Sequence, residues 1–310
     1  MGKNKSLLKL HCSQGGISFA VFMVLYVFAL FLMQTVASAL FGAYTTKYIL
    51  ACSIVSPLCF LAVILWFVLT KKLSFRVNVN LTKSGGAFLP VSLILSAGMF
   101  LGLGFVNYAF SEILATIGIT PQKPEFPLNS ITKIIVFSIT FALLPAILEE
   151  MFFRGVLLNS LSKQKPIVAV LVQALCFAVY HCNLSQFLYQ FIYGVALGLL
   201  AINCKSTLPC IIAHFINNFV VILLEYLKVT SNFLFSPITL VIGINLLAIF
   251  FTIMYFALKR KKKGQAESDQ NVEEVDEKEQ NNTSKLFSFF FPFGIFAIAI
   301  CVMMMVLSVA

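Results

Sequence analysis

Two adjacent glutamates interrupt an apolar helical stretch, Ala146-Ile147-Leu148-Glu149-Glu150-Met151-Phe152-Phe153-Arg154. The chain holds 12 acidic residues, and seven of them fall between Glu267 and Glu279. Only Glu112, Glu125, Glu149, Glu150 and Glu225 remain for the rest. A charge at membrane depth costs about 2.5–3.5 kcal/mol on insertion scales, so a glutamate pair in such a stretch marks a functional site. Two of the three histidines, His181 and His214, also sit in apolar stretches read as helices, while His11 lies in the N-terminal flank and reads as solvated. A lone intramembrane histidine is as readily a structural hydrogen bond between helices as a catalytic group. Two histidines with a glutamate pair shift that balance, provided that they meet.

Helical spacing assigns the faces. Glu150 and Arg154 are one turn apart and can pair, which makes the arginine tolerable in an apolar helix. Glu149 is turned about 100° from Glu150, so the two carboxylates need not share a role. His214 and Asn218 project from one face, with Asn217 slightly off it. Phe177 lies one turn before His181, and its spacing alone reads as packing. These groups suit hydrolysis. A glutamate beside a histidine in a low-dielectric site can act as general base on water, and a histidine with an asparagine amide can donate to the oxyanion of a tetrahedral intermediate. A metal is the alternative, because Glu149, His181 and His214 form a ligand set found in hydrolytic zinc sites. The compact HExxH spacing is absent, so those ligands would have to come from three helices. The metal-independent reading is the preferred one, with no cofactor required.

The elements that must position these residues follow from composition. Hydrophobic residues make up 60% of the 310, and charged residues 11%; mean hydropathy is +0.95. Such a chain is an all-α, polytopic membrane helix bundle. Apolar runs near 17–43, 48–69, 87–107, 132–162, 166–182, 185–203, 207–227, 236–258 and 286–309 predict about eight or nine transmembrane helices. The fourth run is long, the fifth is short, and 166–203 is the region whose crossing pattern is least defined. Pro121, Pro124 and Pro127 predict a turn-rich connection before a helix capped near Asn129-Ser130. The first apolar run is too long for a cleaved signal peptide. Met1-Gly2-Lys3-Asn4-Lys5-Ser6 fits the loose myristoylation pattern but reads as a basic flank.

The net charge of +10 is a topology signal and not a nucleic-acid footprint. Lys3, Lys5 and Lys9, then Lys71, Lys72, Arg76 and Lys83, then Lys163 and Lys165, Lys205, and Lys259 to Lys263 fall on alternate connections. The other connections carry few basic residues, among them Lys47, Lys123 and Lys228. By the positive-inside rule the basic side, including the N-terminus, is cytoplasmic, and the expected location is the cell membrane. With those basic loops as markers, a rise of 1.5 Å per residue puts Glu149 roughly 20 Å, His181 about 24 Å and His214 roughly 14 Å from the cytoplasmic surface. All three can share one layer if the fourth helix runs unbroken past Gly155. The eight cysteines show no CxxC spacing and read as small buried residues. Gly264 to Ser284 is polar and acidic and reads as a disordered cytoplasmic linker, so the last span reads as peripheral.

Glu149-Glu150-x-x-x-Arg154, Phe177-x-x-x-His181 and His214-x-x-x-Asn218, in this order, resemble the CPBP family, the CAAX proteases and bacteriocin-processing enzymes also called Abi proteins. Ser206-Thr207-Leu208-Pro209 and Gly194-Val195-Ala196-Leu197-Gly198 are similar to that family's approach to its last motif. The resemblance covers about residues 130–225. It implies an all-helical intramembrane endopeptidase in which Glu149 and His181 activate water, His214 and Asn218 hold the oxyanion, and Glu150 and Arg154 support them. The family is commonly labelled metalloprotease, although a metal-free glutamate mechanism has been argued for it.

The expected organisation is N-terminal membrane helices over 1–128, a catalytic core over 129–228, a further helix with a basic end over 229–263, a linker over 264–285 and a last helix over 286–310. The expected partners are a membrane-associated peptide or protein substrate and the bilayer, with no nucleic acid. The basic–acidic tail and the hydrophobic N-terminal half point to the bacterial type. Two other classes compete. One is a catalytically silent membrane immunity or scaffold protein. The other is a transporter with a proton-relay site, against which the spans show no repeated halves.

Overall fold

The computed structural model describes residues 10–70, 88–119, 127–229, 236–269 and 282–307. Among them 88% are helical and none is in a strand. The chain is an all-α, multi-pass membrane bundle. Helix α1 is Cys12–Phe41, α2 Thr46–Thr70, α3 Phe88–Thr116, α4 Ile131–Ser160, α5 Pro166–Tyr180, α6 Leu184–Cys204, α7 Leu208–Tyr226 and α8 Pro237–Asp269. A bent pair, α9 (Asn282–Phe289) and α10 (Ile295–Leu307), ends the described chain. Among the described residues seven helices are long and apolar enough to cross a membrane, or eight if the bent pair is one span. The expected fifth crossing is the exception. At 15 residues, α5 rises only about 22 Å, short of a core of about 30 Å.

Two local features fix α4. Ser130 caps its start, its hydroxyl accepting from Lys133 N at 3.3 Å. The helix then runs unbroken past Gly155, widened to π-helical turns over Ser138–Leu143 and Met151–Leu157. Such turns recur at functional sites, and here they flank the glutamate pair. Pro145, which has no N–H to give, lies in the first turn after the first of these widened turns.

Helix contacts then bring α5, α6 and α7 to α4. Gly194 and Gly198 of α6 face α5, where a Cβ on Gly194 would stand 2.9 Å from Ala174 Cα. The missing side chain is what allows this approach. Helix α7 begins after Ser206, whose hydroxyl accepts from Leu208 N at 3.2 Å. Ser92 and Ser96 of α3 donate to the α7 carbonyls of Pro209 and Ala213, both at 3.0 Å. Hydroxyl bonds of this kind hold membrane helices in a fixed rotation, here the one that turns His214 inward. All eight cysteines are free thiols.

Three expectations need correction. First, residues 264–269 continue α8 as helix, because Lys, Gln, Ala and Glu are good helix formers even without an apolar face. The middle of the expected linker, 270–281, lies outside the described residues, as do the N-terminal flank 1–9 and the Pro121 and Pro124 part of the external connection. Second, His181 does not sit within its helix; it closes α5, with Tyr180 as the last helical residue. Third, the last helices are not peripheral. Phe289, Ala297 and Cys301 are buried, a Cβ on Gly16 of α1 would collide with the Phe289 carbonyl, and Met304 Sδ lies 3.9 Å from Cys182 Sγ. The polar linker says nothing of how tightly the span after it packs.

Truncation after Lys263 is therefore expected to destabilise the chain. Close packing is what holds membrane helices together, so the thermal midpoint in detergent should fall by roughly 5 °C or more, at about 2–4 °C per kcal/mol. Because the motif residues all precede it, cleavage below that midpoint should persist. An unchanged midpoint would restore the peripheral reading.

Candidate active site

Three of the motif residues meet around the ring of Phe177. The Arg154 guanidinium lies over that ring at 4.4 Å, His181 stands edge-on to it at 4.9 Å and His214 at 6.0 Å. Spacing alone reads Phe177 as packing. The structure adds a second role, since its carbonyl lies 2.7 Å from His181 Nδ1. A carbonyl can only accept, so Nδ1 carries the proton and Nε2 keeps its lone pair.

The two glutamates occupy separate environments, as their 100° offset requires. Glu150 is fully buried, and its Oε1 accepts from Arg154 Nη1 and from His214 Nδ1, both at 2.8 Å. Arg154, also fully buried, donates from Nη2 to the Gly194 carbonyl at 3.4 Å. The predicted ion pair is present. Its extension to His214 was not legible from spacing, because it joins residues 64 positions apart. With Nδ1–H given to a carboxylate, only the imidazolium form of His214 presents an Nε2–H, and Glu150 supplies the counter-charge for that form.

Glu149 points elsewhere. Its Oε1 accepts from the Tyr180 hydroxyl at 3.0 Å, and its Oε2 has no partner. The Tyr180 oxygen is also 2.8 Å from Ser56 Oγ on α2. A carboxylate only accepts, so Tyr180 spends its one proton on Glu149 and Ser56 donates to Tyr180. This relay fixes one oxygen of Glu149 and leaves the other buried without a partner. Sequence reasoning missed both residues. The available signal was a phenol beside His181 in an apolar helix, since a buried tyrosine hydroxyl needs a partner.

Asn218 is held against α4. Its Nδ2 donates to the Phe141 carbonyl at 3.3 Å. That leaves a second amide N–H of Asn218 for a ligand. Asn217 donates to Asn218 Oδ1 at 3.4 Å and accepts from Tyr189 Oη–H at 2.7 Å, so it supports its neighbour.

Glu149, His181, His214 and Asn218 all line one cavity of about 540 Å³, while Glu150 and Arg154 stand behind its wall. Tyr26, Ser56, Asn107, Gln186, Tyr189 and Gln190 complete the polar part of the lining. Among the described residues no three His, Cys, Asp or Glu side chains form a group that could hold a metal ion. Glu149, His181 and His214 are no exception, and both Nδ1 atoms are committed to protein acceptors.

A multi-pass bundle with a carboxylate, two imidazoles and an amide around one intramembrane cavity has the form of a membrane-embedded hydrolase. Residues 131–220 match the family described as Type II CAAX prenyl endopeptidase Rce1-like, a match that supports the resemblance of the motif residues to the CPBP family. No curated protein and no solved structure matches the chain.

The relay to Glu149 has a measurable consequence. Tyr180→Phe removes one hydrogen bond of roughly 1–3 kcal/mol to a charged group, so kcat should fall by about 5- to 100-fold with KM little changed. Ser56→Ala should cost less, and the double variant should be no worse than Tyr180→Phe, because both act through one proton chain. A KM effect with kcat intact would show that Tyr180 contacts substrate and does not orient Glu149.

Proposed function

We propose that the protein is an intramembrane endopeptidase that hydrolyses a peptide bond of a membrane-associated peptide or protein. The observation that carries this reading is Glu149 Oε2, which has no partner in the protein although its residue shares a cavity with His181, His214 and Asn218.

A water bound between Glu149 Oε2 and His181 Nε2 can give a proton to the carboxylate while its oxygen attacks the scissile carbonyl carbon. His181 acts as a hydrogen-bond acceptor that aims the water, since its Nδ1–H is already given to Phe177. The carbonyl oxygen becomes an oxyanion, which Asn218 Nδ2–H and the Nε2–H of His214 can receive. The Glu150–His214 contact keeps the latter donor oriented, and donors fixed in advance are worth most in a site shielded from bulk water. Collapse of the intermediate breaks the C–N bond, and the proton held on Glu149 passes to the leaving nitrogen. No cofactor is needed for this cycle.

The test is cleavage of a set of membrane-anchored reporter peptides by the full-length protein in lipid nanodiscs, with products identified by mass. Products that require the protein, and that disappear in a Glu149 variant, are expected. Absence of any such product across the set would favour the silent immunity or scaffold role.

A further inference from the structure

We infer that the catalytic cavity opens on the face of the membrane opposite the basic loops, so that its substrate is a peptide segment lying on the extracytoplasmic side. This rests on the peptidase reading for the word substrate, and on the charge pattern and cavity position for the side.

The basic connections define one face. They join α2 to α3 (Lys71, Lys72, Arg76, Lys83), α4 to α5 (Lys163, Lys165) and α6 to α7 (Lys205), and α8 ends at that face with Lys259 to Lys263. The opposite ends carry Lys47, Lys123, Lys133 and Lys228. Bias of this size on short connections sets orientation, with the basic face cytoplasmic.

The cavity lies towards the other face. On α2 it is lined by Cys52, Ser53, Ser56 and Pro57, near the Thr46 end of that helix. On α6 it takes Gln186 and Gln190 from the first two turns, and on α7 Val221 and Ile222 near the Tyr226 end. These three helix ends all lie opposite the basic loops. The reason for the hollow is the length of α5. Its 15 residues rise only about 22 Å from the basic face, so the turn at His181, Cys182 and Asn183 stops below the far surface of a core about 30 Å thick. Asn183 caps α6 there, accepting from Ser185 N at 3.0 Å. A half-buried turn of this kind is tolerated at membrane depth only where it packs within protein or lines a water-filled cavity, and here it borders the cavity beside Gln186 and Gln190.

Towards the basic face a separate hollow of about 320 Å³ reaches in as far as Arg154 and shares no lining residue with the catalytic cavity. Phe153 and Leu157 of α4, Ala174 and Phe177 of α5, and Leu197 and Leu200 of α6 have no accessible surface. The fully buried Arg154–Glu150 pair lies among them. Water and a peptide therefore reach Glu149 from the far side. Among the described residues no lysine or arginine lines the cavity, and Asn107 Oδ1 is buried without a partner, so the walls offer neutral acceptors to peptide N–H groups.

The experiment labels intact cells with a membrane-impermeant maleimide. Gln186→Cys, on the cavity wall, should react in intact cells. Lys163→Cys, on the basic loop, should react only after permeabilisation. The reverse pattern, labelling of both or labelling of neither would each overturn the inference. Alkaline phosphatase fused after Lys228 or after Lys263, active only outside the cytoplasm, checks orientation without any cavity substitution. Activity of the first fusion alone is expected, and activity of the second alone overturns the assignment. None of these readouts requires proteolysis. If labelling and fusions behave as expected but no peptide is cleaved from either side, the peptidase reading fails and the orientation stands.

Discussion

Glu149→Gln is expected to abolish peptide cleavage while leaving the protein folded, inserted and as thermally stable as the wild type. The substitution keeps the shape of the side chain and keeps an Oε1 acceptor for the Tyr180 hydroxyl, now at 3.0 Å from the carboxylate. It removes the basic oxygen, Oε2, that no protein group occupies. A general base contributes typically 10²–10⁴-fold, or about 3–5 kcal/mol of barrier at 1.36 kcal/mol per decade. Loss of at least about 10² in kcat, with KM for the reporter peptide little changed, is therefore the expected outcome. Glu150→Gln supplies the contrast. That carboxylate does not line the cavity and its Oε1 contacts are both to protein donors, so its effect should come through His214 and through folding. If Glu149→Gln cleaved within a few-fold of wild type, the base would have to be another group, and the proposed chemistry would fall with it.

How much of this was legible in the sequence depends on whether a contact is local or crosses between helices. The Glu150–Arg154 pair was legible because one helical turn brings i and i+4 together. So were the shared face of His214 and Asn218 and the cap at Ser130. Membrane character and the all-α class follow from composition alone. The contacts that give Glu149 and Glu150 different surroundings were not legible. Tyr180 reaches Glu149 across 31 positions and Ser56 reaches Tyr180 across 124, and no periodicity encodes a pairing between helices. Pro145 shows the same limit in another form. A missing N–H is visible in the sequence, but that Asn218 bonds the Phe141 carbonyl one turn before it is known only once α7 is seen against α4. The short fifth run was visible too; that it ends in a histidine lining a cavity was not.

Arg154→Ala should be the most damaging single change to stability among the motif residues. The guanidinium makes three contacts at once: the ion pair to Glu150 at 2.8 Å, a bond to the Gly194 carbonyl at 3.4 Å and a cation–π contact to Phe177 at 4.4 Å. Removing it leaves the Glu150 carboxylate fully buried with His214 as its one remaining donor. Breaking one side of a buried pair costs about 3–5 kcal/mol, mostly because the other charge is left uncompensated. Arg154→Lys should recover only part of this, since an ammonium cannot reproduce the planar fork that reaches a carboxylate and a carbonyl together. The decisive variant is Arg154→Ala with Glu150→Gln. It removes the stranded charge and keeps an amide oxygen for His214, so the detergent melting midpoint should rise above that of Arg154→Ala alone. Cleavage should not return, because an amide no longer supplies the carboxylate charge beside His214 Nδ1. Strictly additive losses in the double variant would mean that Arg154 acts through packing against Phe177 and not through Glu150, and the support assigned to this pair would be wrong.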